Sequence, residues 1–221
     1  MKNKIILFGG GPSVKEPIAD GLFSLIKGCA KIASINYFYL SMPYLPDYQI
    51  FSDQHFWNEE ERKVKVHPNR QVISRNKMSK LQSQGVQLIY RYMGRTRTIP
   101  DAETYNANKV FGVPNSLYYG INCLAGMFAL SWAVRNFKEI FLLGYDLTDL
   151  NGATHSYEGQ IKTSSYGVGN KELLITYQKN LDDWKKYLDI KGVKIYNVSK
   201  ISRINCFEKI NYSKMYKLLE K

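Results

Sequence analysis

The sequence predicts an α/β fold, a doubly wound and mostly parallel sheet, and three observations carry that expectation. Short apolar runs alternate with helical stretches. The first run leads straight into the turn Gly9-Gly10-Gly11-Pro12-Ser13. Polar or glycine residues then stand where successive runs stop: Asn36, Ser52-Asp53 and Gly144-Tyr145-Asp146. In open α/β sheets, ligands collect at the carboxyl ends of the strands, where these residues fall.

Each element has its own justification. Residues 4–8 are a buried strand, and 13–27 an amphipathic helix with Val14, Ile18, Leu22, Leu25 and Ile26 on one side. Ser13 is placed to cap that helix and Gly28 to end it. Strands follow at 31–36 and 48–51, separated by a loop that Pro43 and Pro46 mark. Residues 71–75 and 86–92 read as strands, 76–84 as a short helix, and 95–115 mostly as loop. The stretch 122–137 is apolar nearly all round and predicts a central helix. A buried strand from Ile140 stops at Gly144 and Asp146. The polar, glycine-spotted residues 147–169 then predict a mobile loop. A helix over 170–190, a strand over 193–198 and a basic helix over 211–221 complete a single domain spanning 1–221.

Length and composition narrow the class. A chain of 221 residues with 17 Tyr, 10 Phe and 3 Trp can bury a full core and is not a disordered segment. Three scattered cysteines, Cys29, Cys123 and Cys206, have no metal-ligand spacing and fit a reducing compartment. No apolar run approaches the roughly 18 residues of a membrane span, and none resembles a leader, so a cytoplasmic location is expected. The net charge of +12 points to an anionic partner. It is concentrated between residues 62 and 100, where ten Lys and Arg, including Arg91, Arg95 and Arg97, meet no Asp or Glu. A solvated face normally mixes both signs.

Several residues suggest chemistry. Gly9 and Gly11 fit the first half of a dinucleotide fingerprint, but Val14 stands where its third glycine belongs. Asn36 replaces the acidic residue that an NAD enzyme places on ribose, and no P-loop is present, which argues against both hydride transfer and P-loop hydrolysis. Asn36 is either a contact to a sugar or base or a strand-end turn residue. Asn122-Cys123 opens the central helix, as a phosphate site or as a plain cap. His155, in the glycine-rich run Asn151-Gly152-Ala153-Thr154-His155-Ser156-Tyr157-Glu158-Gly159, is a candidate general base or an idle surface histidine. Asp146 and Asp149 lack the D-x-D spacing of a metal-dependent glycosyltransferase, and no metal is expected.

Taken in order, these segments resemble a known family. Gly9-Gly10-Gly11-Pro12-Ser13-Val14 is similar to the G-N-G-P-S-L start of the small bacterial sialyltransferases that decorate lipooligosaccharide. Lys138-Glu139-Ile140-Phe141-Leu142-Leu143-Gly144-Tyr145-Asp146 resembles their K-E-I-Y-L-S-G-I-D-F, and Asn36 falls in a run like their N-Q-F-Y. His155-Ser156-Tyr157-Glu158-Gly159 looks like their H-Y-I-G loop, and Val193-Lys194-Ile195-Tyr196 like their I-K-L-Y. Motility-accessory and pterin-diphosphokinase-like proteins carry related marks.

The resemblance covers about half the chain. It implies a Rossmann-like, metal-independent glycosyltransferase that uses a nucleotide sugar. The nucleotide contacts would be Gly9, Gly10, Gly11, Pro12, Ser13, Asn36, Ser52, Asp53, Gly144 and Asp146, with Asn122 and Cys123 at the phosphate. His155 would be the base, and Tyr157 and Tyr166 would steady the departing phosphate. Gly10 and Ser52 replace family asparagines, and the lid before the histidine is much reduced. A sugar smaller than sialic acid, on CMP or UDP, fits those departures. The basic stretch, with Arg91, Arg95 and Arg97, would face a polyanionic acceptor, either DNA bearing a hydroxylated base or phosphorylated lipooligosaccharide. A pterin or nucleotide diphosphotransferase and a non-catalytic nucleic-acid-binding protein are the competing expectations.

Overall fold

The computed structural model describes residues 3–51, 71–74, 86–91, 103–105, 125–148, 150, 156, 181, 185 and 192–220. Strand β1 (Lys4–Phe8) is followed by a 3₁₀ turn (Pro12–Val14), α1 (Lys15–Ala19) and α2 (Leu22–Ile26). Next come β2 (Lys31–Ile35), a 3₁₀ segment (Asn36–Ser41) and β3 (Tyr48–Phe51). Strands β4 (Gln71–Ser74), β5 (Val86–Arg91) and β6 (Glu103–Tyr105) precede α3 (Ala125–Asn136) and β7 (Glu139–Leu143). Strands β8 (Lys194–Asn197) and β9 (Glu208–Lys209) and helix α4 (Tyr212–Leu219) follow.

The strands lie in the order β6-β5-β4-β3-β2-β1-β7-β8-β9, and every described pairing is parallel. The chain therefore builds outward from β1 on one side, then crosses back to add β7 to β9 on the other. The strand order reverses between β1 and β7, and open α/β sheets as a class hold their ligands in a crevice at the carboxyl edge of such a point.

Alternation within each strand supplies two apolar layers. Ile5 and Leu7 of β1, with Ile140 and Leu142 of β7, face Ala129, Leu130, Trp132 and Ala133 of α3. Their neighbours Ile6, Phe8, Phe141 and Leu143 face Leu22, Phe23 and Ile26 of α2 and Met215 and Leu219 of α4. Helices thus cover both faces of the central strands, which explains why these strands are apolar without interruption. Phe8 stacks on Phe38 at 4.8 Å between centroids, fixing the 3₁₀ segment against the second layer.

Two expectations need correction. The helix expected over 13–27 is broken at Gly21, whose φ is 86°. The break rotates the apolar face, so Phe23 is buried while Leu25 is 57% exposed. Ser13 is not the cap: Gly11 holds that position, and the Ser13 hydroxyl is bonded to another element. Within 95–115, expected to be mostly loop, the described residues are the short strand β6, paired in parallel with β5, and the remainder lies outside the described residues. The expected helix over 76–84 and residues 122–124 lie outside the described residues, and within 170–190 only Leu181 and Lys185 are described, both helical. Among the described residues, no helix is long and apolar enough to cross a membrane.

Candidate functional site

The turn after β1 and the turn after β7 close on each other. Gly9 N–H donates to Leu143 O at 2.7 Å, and Gly11 N–H to Gly144 O at 2.8 Å. The approach leaves no room for side chains. A Cβ on Gly11 would collide with the Asp146 carboxylate, and one on Gly144 would stand 2.7 Å from Gly9 O. Gly144 also has φ 67°, where other residues are strained. The glycines that look like a phosphate turn in the sequence are therefore required first by contact between two backbone turns.

Asp146 is the centre of this arrangement. It is 2% exposed, and its Oδ2 accepts the Ser13 N–H at 2.8 Å. Its Oδ1 accepts the hydroxyls of Ser13, at 2.6 Å, and of Ser199. A buried carboxylate is tolerated only when donors replace its hydration shell, and here three do. The loop between β8 and β9 completes the clasp: Arg203 N–H donates to Asp146 O at 2.9 Å, and the Ser202 hydroxyl to Tyr145 O at 2.6 Å. Tyr145 lies in the interior and donates to Gly126 O of α3 at 3.0 Å; burial pushes its phenol well above the usual tyrosine range.

A second cluster lies at the ends of β2 and β3. Asn36 leaves β2 with φ 50°, a left-handed conformation that asparagine tolerates better than most residues. Gln49 braces it, donating from Nε2 to Asn36 O at 2.8 Å. That bond fixes the amide orientation and leaves Gln49 Oε1 buried without a partner among the described residues. Asn36 Oδ1 and Ser34 Oγ are also buried and unpartnered. Ser34 pairs in register with both Phe8 and Gln49, so its hydroxyl belongs to this corner.

Two further polar atoms share the condition. Ser156 donates its N–H to Gly10 O at 2.7 Å, seating this residue on the glycine turn, while its buried hydroxyl has no partner. The Tyr212 hydroxyl, at the start of α4, is likewise unpartnered. Burial first, and then the negative charge of Asp146, raise the Tyr212 phenol above its ordinary value. All of these unpartnered groups gather at the carboxyl edge of β1, β2, β3 and β7. Native structures leave few buried polar groups unsatisfied, and those that remain call for an explanation.

The structure brings Gly9, Gly10, Gly11, Pro12, Ser13, Gly144 and Asp146 together and sets Asn36 two strands from β7 on the same edge. Asp146 and Ser13 meet each other, which gives them a positioning role. His155, Tyr157, Tyr166, Ser52, Asp53, Asn122, Cys123, Arg95 and Arg97 lie outside the described residues, and of Arg91 only its place at the end of β5 is described. Sequence reading missed Ser34, Gln49, Ser156, Ser199, Ser202 and Tyr212. The signal for the first two was available: each is a lone polar residue inside an apolar strand. Among the described residues, no group of three His, Cys, Asp or Glu stands together as a metal site. No family model, curated protein or solved structure matches the chain.

Proposed function

We propose that this chain is a Rossmann-like, doubly wound glycosyltransferase that binds a nucleotide sugar at the β1/β7 crevice. One observation carries the reading: the buried unpartnered polar atoms of Ser34, Asn36, Gln49, Ser156 and Tyr212 gather at the sheet edge where such folds hold nucleotides. Two of the motifs that resemble the sialyltransferases, Gly9–Val14 and Lys138–Asp146, meet on this same edge. Ser156, the sequence neighbour of His155, is hydrogen-bonded to the glycine turn.

In this reading the nucleotide lies across the ends of β1, β2 and β7, with Asn36 and Gln49 offering acceptor oxygens to sugar or base hydroxyls and amines. His155 takes the proton from an acceptor hydroxyl, whose oxygen forms a bond to the anomeric carbon. The bond from that carbon to the phosphate oxygen breaks, and the nucleotide leaves with the electron pair. Tyr157 and Tyr166 donate to the departing phosphate, and Asn122 and Cys123 hold it before transfer. The reaction needs no metal and takes place in the cytoplasm. Arg91, Arg95 and Arg97 belong to the acceptor side, and the acceptor is a polyanion, either hydroxylated-base DNA or phosphorylated glycan. A base in duplex DNA would be flipped out to react.

A thermal-shift screen across CMP-, UDP-, GDP- and ADP-sugars tests donor binding, since a ligand held only by the native state raises its melting temperature. A CMP- or UDP-sugar should give the largest shift, and His155→Ala should retain that shift while losing transfer. A flat screen across all four carriers removes the reading.

A further inference from the structure

The glycine turn has little left to offer an anion. The N–H groups of Gly9 and Gly11 are spent on Leu143 and Gly144 carbonyls, Pro12 has none, and that of Ser13 is held by Asp146. Asp146 also brings a buried negative charge, and no cation pairs with it among the described residues. A phosphate at this edge therefore meets a like charge, and the opposing charge must come from another element.

The loop between β8 and β9 is built to supply it. Val198, Ser199, Ser202, Ile204 and Phe207 are buried, whereas Lys200 and Arg203 are exposed. The loop is held along its length. Asn197 Nδ2 donates to Ile204 O at 3.0 Å, Ser199 N–H to Asn197 Oδ1 at 3.2 Å, and Lys209 Nζ to Ser202 O at 2.8 Å. Lys200 follows Ser199, whose hydroxyl shares one Asp146 oxygen with that of Ser13, so it starts beside the glycine turn. Arg203 is fastened through its own N–H to Asp146 O. Neither side chain makes an ion pair among the described residues.

We propose that Lys200 and Arg203 are the cations that hold the nucleotide's phosphate at the β1/β7 crevice. The proposal rests on the nucleotide-binding reading above and names the source of charge that reading lacks. The guanidinium supplies a two-pronged grip on phosphate oxygens and the ammonium a point charge. Both stand on a loop whose backbone is already held, so only their side chains lose freedom when the anion arrives.

The test is calorimetric titration of the full chain with CMP and UMP and with the matching nucleosides, at low and high salt. The single variants K200E and R203E and the double variant K200E/R203E are compared with K217E, which matches each single variant in charge change and lies at an exposed residue near the opposite edge. There, the neighbouring Leu218 O accepts from Lys4 at the start of β1. The double variant should weaken binding of the tighter nucleotide at least about tenfold and flatten its salt dependence. Nucleoside binding should stay unchanged, as should nucleotide binding by K217E. If K200E/R203E melts early, K200Q/R203Q gives the same comparison without the added negative charge. Wild-type nucleotide affinity in either double variant overturns the proposal and leaves the proposed function standing. Failure of the wild-type chain to bind any nucleotide overturns both.

Discussion

The Asp146 clasp and the β2/β3 corner lie on the same sheet edge but use their polar atoms in opposite ways. Around Asp146, both carboxylate oxygens, the hydroxyls of Ser13, Ser199 and Ser202, and the backbone of Arg203 are all paired within the chain. At the corner, Ser34, Asn36 and Gln49 each keep an acceptor oxygen that nothing among the described residues meets. A fully paired group contributes to folding, and its loss is costly. An unpaired buried group weakens folding and gains only if something from outside completes it. The contrast separates residues that position the site from residues that would touch its ligand.

The largest effect should come from breaking the paired region. Asp146→Ala strands the Ser13 N–H and two hydroxyls, and is expected to lower stability by about 3–5 kcal/mol, read from urea unfolding. Gly11→Ala comes next, at about 2–4 kcal/mol, because the new methyl meets the Asp146 carboxylate and Gly144 O. A value near zero for both would mean that the two turns are free to separate.

The corner should respond with the other sign. Ser34→Ala removes a buried hydroxyl that has no partner, so the protein should melt higher, by about 1 kcal/mol of added stability, while nucleotide affinity falls. A rise in stability with unchanged affinity would confine Ser34 to a structural role. The smallest effect concerns alkaline pH. Tyr145 and Tyr212 are held protonated by burial, so their folded values lie above those of the unfolded chain. Their contribution is full below the unfolded tyrosine value of about 10 and is lost as pH rises beyond it. Melting temperature should therefore drop above that pH, and less steeply in Tyr212→Phe.

The strand sequence at the centre of the sheet was legible because it obeys strong local rules. Runs such as Ile5-Ile6-Leu7-Phe8 and Ile140-Phe141-Leu142-Leu143 are apolar on both faces, which only a covered parallel sheet explains. The glycine turn, Asn36 and the Gly144-Tyr145-Asp146 run were legible as strand ends for the same reason. The partner of the Ser13 hydroxyl was not legible, since Asp146 lies in the turn after β7, far off in sequence, and nothing local marks the pair. Helix 13–27 was misread because its apolar spacing continues through Gly21 while its backbone does not. Ser199 and Ser202 carry no local signal in the sequence. Their role appears only when the β8–β9 loop folds back over Tyr145 and Asp146.

The seam between β1 and β7 also bears on how the chain reaches this state. Ser13 and Asp146 are 133 residues apart in sequence, and the glycine turn has no partner of its own until β7 arrives. Strands β1 and β2 can pair early through a short crossover, but the centre of the sheet stays open on one side until most of the chain is present. Such distant contacts close late and slow folding, because the loop entropy is spent before the contact forms. Refolding from denaturant should therefore show the β1–β2 half protected from hydrogen exchange before the β7–β8 half, with Asp146 joining in the last step.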